Sequence, residues 1–126
     1  MEFVKYIQVS YADHKYYNYE DASSISMCIL GRFLFSDVSR PSSFISWALD
    51  IESDHACANL TDLYKENDYI LMSDLYSEEE VPTELKMTLQ QFVQILTDWE
   101  EKVLKLKPHE VIIKYENDEF VIETKD

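Results

Sequence analysis

Potential metal ligands are densest just before the middle of the chain. Five fall within eight residues: Asp50, Glu52, Asp54, His55 and Cys57. A calcium loop of the EF-hand type requires a glycine at its sixth position and a glutamate at its twelfth, where this chain has His55 and Thr61. A zinc site requires two convergent ligand pairs, and His14, His109 and Cys28 are not spaced to supply the second pair. The sequence therefore predicts a solvated acidic surface with no metal and no cofactor.

Signatures of nucleophilic catalysis are missing from the sequence. There is no G-x-S-x-G turn, no glycine-rich phosphate loop and no recognisable arrangement of Cys and His. Carboxylate pairs able to act as a glycosidase acid and base carry no information here, because 25 acidic residues supply many such pairs. We predict that the protein is not an enzyme.

Charge is distributed unevenly along the chain. The formal net charge is −14, from 25 acidic and 11 basic residues. Residues 50–84, which we call the acidic segment, contain eleven acidic residues and one basic residue, Lys65. Such an excess argues against a nucleic acid or an anionic membrane as the direct ligand. It predicts a basic partner instead.

Tyrosines are interleaved with the carboxylates of the acidic segment. Tyrosine is enriched at the energetic centres of protein interfaces, and dense carboxylates raise the association rate with a basic partner. A charge run is usually a solubilising surface, but solubility needs a net charge of only about 2 to 8 with both signs interspersed. We therefore predict a partner-binding face formed by Asp50, Glu52, Asp54, Asp62, Tyr64, Glu66, Asp68, Asp74, Tyr76, Glu78, Glu79 and Glu80.

Alternating apolar residues predict three strands ahead of the longest helix. They cover residues 3–11, 24–35 and 68–76. In the first strand the odd-numbered residues form the apolar face. In the second, Gly31 is expected to mark a bulge or a close approach of another backbone.

Helical spacing of apolar residues predicts two helices. Pro41 suits a first helical turn, and a short helix follows over about 41–52. The longest periodic stretch covers 88–107, where Thr88 and Gln91 form a capping box.

The end of the chain has the pattern of a hairpin. Runs 111–115 and 120–124 are rich in β-forming residues, and 116–119 is prone to turn. Segments 13–24 and 53–67 have no clear period. For the first we predict a loop, with room for a short extended piece, and for the second a loop or helical turn. The elements together predict one α+β domain over 1–126, an antiparallel sheet of about five strands with one long and one short helix packed on it.

Two sequence properties bear on location. No run approaches the roughly 18 apolar residues of a membrane span, and the first residues lack the basic and apolar regions of a signal peptide. We expect a cytoplasmic protein in which Cys28 and Cys57 are reduced.

The last third of the chain carries a family resemblance. Residues 87–126, "MTLQQFVQILTDWEEKVLKLKPHEVIIKYENDEFVIETKD", combine a capped helix containing QF and W with KP and a final hairpin. This pattern resembles the small acidic immunity proteins encoded beside bacterial polymorphic toxins, including those of contact-dependent growth inhibition. The resemblance implies a one-to-one complex with a cognate toxin domain, commonly a nuclease, and no catalytic residue. A basic nuclease groove is the kind of surface that the acidic segment would bind.

Two alternatives stay open. An acidic nucleic-acid mimic that sequesters a DNA-binding protein also needs an acidic face, but it would favour carboxylates spaced regularly over a long surface. A small enzyme would need a deep pocket with carboxylates of raised pKa. The sequence does not decide whether Tyr16, Tyr17 and Tyr19 join the binding face or pack beneath the sheet.

Overall fold

The computed structural model describes residues 1–80 and 82–126. Within those residues it has two antiparallel sheets of four strands and three helices. The strands are β1 (Glu2–Tyr11), β2 (His14–Ala22), β3 (His55–Cys57), β4 (Thr61–Glu66), β5 (Tyr69–Asp74), β6 (Glu84–Thr88), β7 (Glu110–Glu116) and β8 (Glu119–Lys125). The helices are α1 (Ile25–Arg32), α2 (Pro41–Leu49) and α3 (Leu89–Trp99), and π-helical turns extend α1 over Phe33–Asp37 and α3 over Glu100–Leu104.

The two sheets come from different parts of the chain. The first sheet has the strand order β2-β1-β7-β8, so the N-terminal and C-terminal hairpins pair through β1 and β7, with Val4 opposite Ile113. The second sheet has the order β3-β4-β5-β6 and is built from the middle of the chain. The acidic segment therefore forms most of one sheet.

Helices α1 and α3 each contact strands of both sheets. The buried cluster that they share includes Val4 and Val111 from the first sheet and Leu63 from the second. Trp99, which is 2% exposed, donates its indole N–H to the carbonyl of Val38 at 3.3 Å. Burial of apolar surface from both sheets against the same helices is the main force that holds the sheets together.

The prediction of a strand over 24–35 is wrong. Ser24 caps α1 by accepting a hydrogen bond from the backbone N–H of Met27 at 3.2 Å, and the chain stays helical to Asp37. Met27, Leu30 and Leu34 have helical spacing and are fully buried. The strand was predicted because apolar residues also occur at every second position of the same stretch. The bulge or close backbone approach expected at Gly31 is also wrong, because Gly31 lies in α1 and a Cβ atom there would meet the side chains of Val4 and Tyr6.

The prediction of one sheet of five strands is also wrong, since four strands were missed. β2 lies in the segment predicted as a loop, β3 and β4 lie in the segment predicted as a loop or helical turn, and β6 directly precedes α3. β2 is an edge strand whose residues are largely exposed, so its sequence lacks an apolar face. The broader prediction of an α+β fold with antiparallel pairing is confirmed.

Several other predicted elements are present. The strand at the N-terminus is confirmed, but its core face is the even-numbered one, with Val4 and Tyr6 buried. The short helix begins at Pro41 as predicted and ends earlier, at Leu49. The hairpin and β5 occur where expected, and the capping box of α3 is formed by Thr88 and Gln91.

Both cysteines are free thiols, as predicted. Among the described residues, no helix combines the length and apolar character needed to cross a membrane.

Candidate partner-binding face

The acidic segment runs from the end of α2 through β3, β4 and β5 to the start of β6. Residues on successive positions of a strand point to opposite sides of a sheet. Thr61 and Leu63 of β4 are buried on the side of the helices, and Asp62, Tyr64 and Glu66 alternate with them. The carboxylates of β4 therefore lie on the side of the second sheet that faces away from the core.

We call this side of the second sheet, with Asp62, Tyr64, Glu66, Glu84, His55 and Cys57, the outer face. The register places Asp62 opposite Ser73 and Ser73 opposite Glu84, so the two carboxylates occupy corresponding positions on β4 and β6. The hydroxyl of Tyr64 donates a hydrogen bond to the carboxylate of Glu84 across β5. That bond holds the tyrosine ring over the outer face.

The single base of the acidic segment is used inside the molecule. The ammonium group of Lys65 donates hydrogen bonds to the carbonyls of Trp47, at 2.7 Å, and Asp50. It also lies 4.8 Å from the centroid of the Trp47 ring, close enough for a cation–π contact. Carbonyls at a helix C-terminus attract cations, so Lys65 stabilises the end of α2 and does not neutralise the outer face.

Asp74 differs from the other predicted site residues. Its carboxylate lies 2.7 Å from the guanidinium of Arg32 on α1 and accepts a hydrogen bond from the backbone N–H of Tyr76 at 2.9 Å. These two contacts hold the pKa of Asp74 below its usual value, the Arg32 hydrogen bond having the larger effect. Asp74 therefore links the second sheet to α1.

The remaining predicted residues form two exposed groups at opposite ends of the second sheet. Tyr76, Glu78, Glu79 and Glu80 follow β5, and the side chain of Tyr76 is 69% exposed. At the other end lie Asp50, Glu52, Asp54, Glu66 and Asp68. A six-residue strand separates the groups by about 17 Å, so nine of the twelve predicted residues form two exposed patches, and Asp62 and Tyr64 lie on the outer face between them.

The three tyrosines of β2 have different environments. Tyr17 packs against Phe35 with ring centroids 5.1 Å apart, and its hydroxyl donates to the carbonyl of Pro108. Tyr16 and Tyr19 are 48% and 53% exposed. Tyr17 is thus part of the packing beneath the first sheet, and Tyr16 and Tyr19 are at the surface.

Tyr19 lines a cleft of about 370 Å³ between α1 and the connection that follows β5. Arg32, Asp74 and Glu79 line the same cleft. A general acid that works near neutral pH needs a raised carboxyl pKa, whereas the pKa of Asp74 is lowered. The cleft brings Tyr19 close to the acidic group that contains Glu79.

The outer face also brings together three side chains that could bind a metal. His55 and Cys57 are two residues apart on β3, and Cys57 lies directly opposite Asp62 of β4 in the strand register. Desolvation and the neighbouring Asp62 carboxylate raise the pKa of the Cys57 thiol. Asp62 was not recognised as a neighbour of His55 and Cys57 from the sequence, where the only available signal was the H-x-C spacing typical of one strand face.

Comparison with known proteins gives no relative. No protein-family model, curated protein or solved structure matches the chain.

Proposed function

We propose that the protein is a cytoplasmic immunity protein that binds and neutralises a cognate toxin domain in a one-to-one complex. In this proposal the toxin domain is a basic nuclease. The contact surface in this proposal is the outer face together with the exposed acidic groups at its two ends. Asp74 is excluded from the contact surface because it pairs with Arg32.

The observation that carries the proposal is the orientation of charge in the acidic segment. Its carboxylates are exposed or half-exposed, whereas its one ammonium group binds the carbonyls of Trp47 and Asp50. The outward charges of this segment are therefore of one sign, and among the described residues the one exposed ammonium group on the outer face is that of Lys86 on β6, in register with Tyr64 through Leu71. Such a surface attracts a basic partner over long range and accelerates the encounter.

Inhibition would follow from competition for the same site. A nuclease binds phosphates through lysine and arginine side chains in a groove. Carboxylates that pair with those side chains exclude the substrate, and a tyrosine such as Tyr76 offers the large, amphipathic contact area found at interface centres. Blocking of the substrate path explains how a protein without catalytic groups can neutralise an enzyme.

The test is to co-express the tagged chain with the C-terminal domain of the protein encoded immediately upstream. We expect the two to co-purify in equal amounts and the cells to survive expression of that domain. Affinity should fall as the salt concentration rises, since exposed charge pairs are screened. A harmless upstream domain that does not co-purify would refute the proposal.

Two matched variants locate the interface. Changing Glu78, Glu79 and Glu80 together to glutamine removes three charges from one acidic group, and at about 0.2–1 kcal/mol per exposed pair it should weaken binding about tenfold. The control removes three exposed charges elsewhere, with Glu20→Gln, Glu119→Gln and Asp126→Asn, and should bind as the wild type does. Equal weakening by both variants would mean that net charge, and no particular face, determines affinity.

Affinity for unrelated basic DNA-binding proteins, measured beside affinity for the upstream domain, separates the immunity proposal from the nucleic-acid mimic. A mimic would bind several unrelated basic DNA-binding proteins with similar affinity, whereas an immunity protein discriminates among partners. The carboxylates are separated into two groups about 17 Å apart, and among the described residues only Asp62 and Glu84 lie on the outer face between them, which does not resemble a regular phosphate track.

A further inference from the structure

Three ligand-type side chains converge on the outer face at the edge of the second sheet. The sulfur of Cys57 lies 3.7 Å from Nε2 of His55 and 3.6 Å from Oδ1 of Asp62. His55 Nε2 and Asp62 Oδ1 are in direct contact, and all three atoms lie within 4.8 Å of one another. Imidazole, thiolate and carboxylate are the three protein groups that zinc binds.

The backbone explains this convergence. Residues two apart on a strand share a face, which puts His55 and Cys57 on the same side of β3. Directly opposed residues of an antiparallel pair have Cβ atoms about 5 Å apart, and Cys57 is directly opposed to Asp62. Hydrogen bonds from the N–H of Lys65 to the carbonyl of Asp54, and from the N–H of Ala58 to the carbonyl of Thr61, both at 2.8 Å, flank the pairing.

The distances match those around a tetrahedral zinc ion. With Zn–S of about 2.3 Å and Zn–N or Zn–O of about 2.0 Å, the sulfur stands about 3.5 Å from the nitrogen and from the oxygen. The two measured sulfur distances lie within a few tenths of an ångström of this value. Only the contact between His55 and Asp62 must open, to about 3.3 Å. The His55 side chain is 59% exposed, so rotation of its ring can provide that movement.

We propose that His55, Cys57 and Asp62 bind one Zn²⁺ ion, with a water molecule in the fourth position. On binding, the Cys57 thiol gives its proton to solvent and the thiolate, the carboxylate and a neutral imidazole coordinate the ion. Sulfur and imidazole select zinc over calcium and magnesium, which prefer oxygen ligands. The surrounding carboxylates of the acidic segment raise the local concentration of cations. The proposal is independent of any toxin partner.

Cobalt spectroscopy of the untagged, reduced protein tests this site, because Co²⁺ occupies zinc sites and reports a bound thiolate by its charge-transfer absorption. We expect one equivalent of Co²⁺ to give this absorption with the strong visible bands of tetrahedral coordination, and one equivalent of Zn²⁺ to abolish both. Millimolar Mg²⁺ should not compete. Absence of the absorption, or its loss on addition of Mg²⁺, would overturn the proposal.

Variants identify the ligands. Cys57→Ala should eliminate the charge-transfer band, and His55→Ala and Asp62→Asn should each weaken Zn²⁺ binding at least about tenfold. Cys28→Ala is the matched control, because Cys28 is the other free cysteine and lies on α1; it should leave both the band and the affinity unchanged. Circular dichroism confirms that each variant is folded, and Cys57→Ser replaces the alanine variant if that one is not. A band that survives the loss of Cys57, or that requires Cys28, would place the metal elsewhere.

Discussion

Substitution of Gly31 by alanine tests how α1 rests on the first sheet. A Cβ atom built at this position would stand 2.9 Å from Cε2 of Tyr6 and 3.1 and 3.2 Å from the two Cγ atoms of Val4. All three separations are shorter than an ordinary carbon–carbon contact of about 3.5–4.0 Å. The Tyr6 ring cannot easily retreat, because it stacks on Phe35 with ring centroids 3.8 Å apart.

Two effects of known size oppose each other in this variant. Alanine favours the helix over glycine by about 1 kcal/mol, whereas an added carbon in a filled core costs about 1–3 kcal/mol. Since Val4 is fully buried and the contacts involve two side chains, we expect the steric cost to dominate. Gly31→Ala should lower the free energy of unfolding by about 1 kcal/mol, which corresponds to a fall of about 0.5 M in the urea midpoint at a slope of about 2 kcal/mol/M.

Urea denaturation of a double-mutant cycle provides the measurement. Val4→Ala removes both methyl groups that crowd the new Cβ, so the two changes together should destabilise the protein by at least about 0.5 kcal/mol less than their sum. Ser46→Ala, at an exposed position of α2, controls for helix propensity and should stabilise slightly. A Gly31→Ala variant as stable as the wild type, or additive with Val4→Ala, would refute the close-contact explanation.

Two further predictions concern single contacts. Asp74→Asn should destabilise the protein by up to about 1 kcal/mol at pH 7, the usual limit for an exposed ion pair. Because the folded-state pKa of Asp74 is lowered, the ion pair stabilises the protein fully above the unfolded-state pKa of about 3.9. This stabilisation disappears as the pH falls through the folded-state pKa. In thermal unfolding, the difference between variant and wild type should be smaller at pH 2.5 than at pH 7, and an equal difference at both pH values would contradict the role of charge. Thr88→Ala should cost about 1 kcal/mol in urea denaturation, because it removes the side-chain oxygen that accepts from the N–H of Gln91 at 3.0 Å; Thr88→Ser keeps this oxygen and should retain most of the stability.

The elements that were predicted correctly are determined by residues close together in the sequence. Helix α3 has one apolar stripe and a capping box at its first turn. The C-terminal hairpin turns at Asn117 and Asp118, both with positive φ, as a two-residue turn of this kind requires. In both cases residues adjacent in sequence supply the determining contacts.

The elements that were missed depend on distant contacts. Helix α1 has buried residues facing strands of both sheets, so its apolar pattern fits a strand as well as a helix. Strand β2 is formed by pairing with β1 and has few buried residues of its own.

The candidate site shows the same division. Three adjacent carboxylates resist burial, so the exposure of Glu78, Glu79 and Glu80 could be predicted from the sequence. All three residues are exposed in the structure. The pairing of Asp74 with Arg32, separated by more than forty positions, depends on the packing of α1 against the second sheet. The binding of Lys65 to the end of α2 likewise depends on a contact between distant parts of the chain, which no sequence pattern reveals.

In strand β4, side chains that pack in the core alternate with side chains that face outward. Thr61 and Leu63 point into the core, and Asp62, Tyr64 and Glu66 point outward from the same six-residue strand. Substitution at the outward positions leaves the buried ones in place, because a side chain on one face of a sheet does not pack against the other face. Over evolutionary time, such a strand permits the outer chemistry to diversify rapidly while the fold stays constant. Under the proposed function, the same property makes β4 a suitable place to alter partner specificity by randomising every second codon.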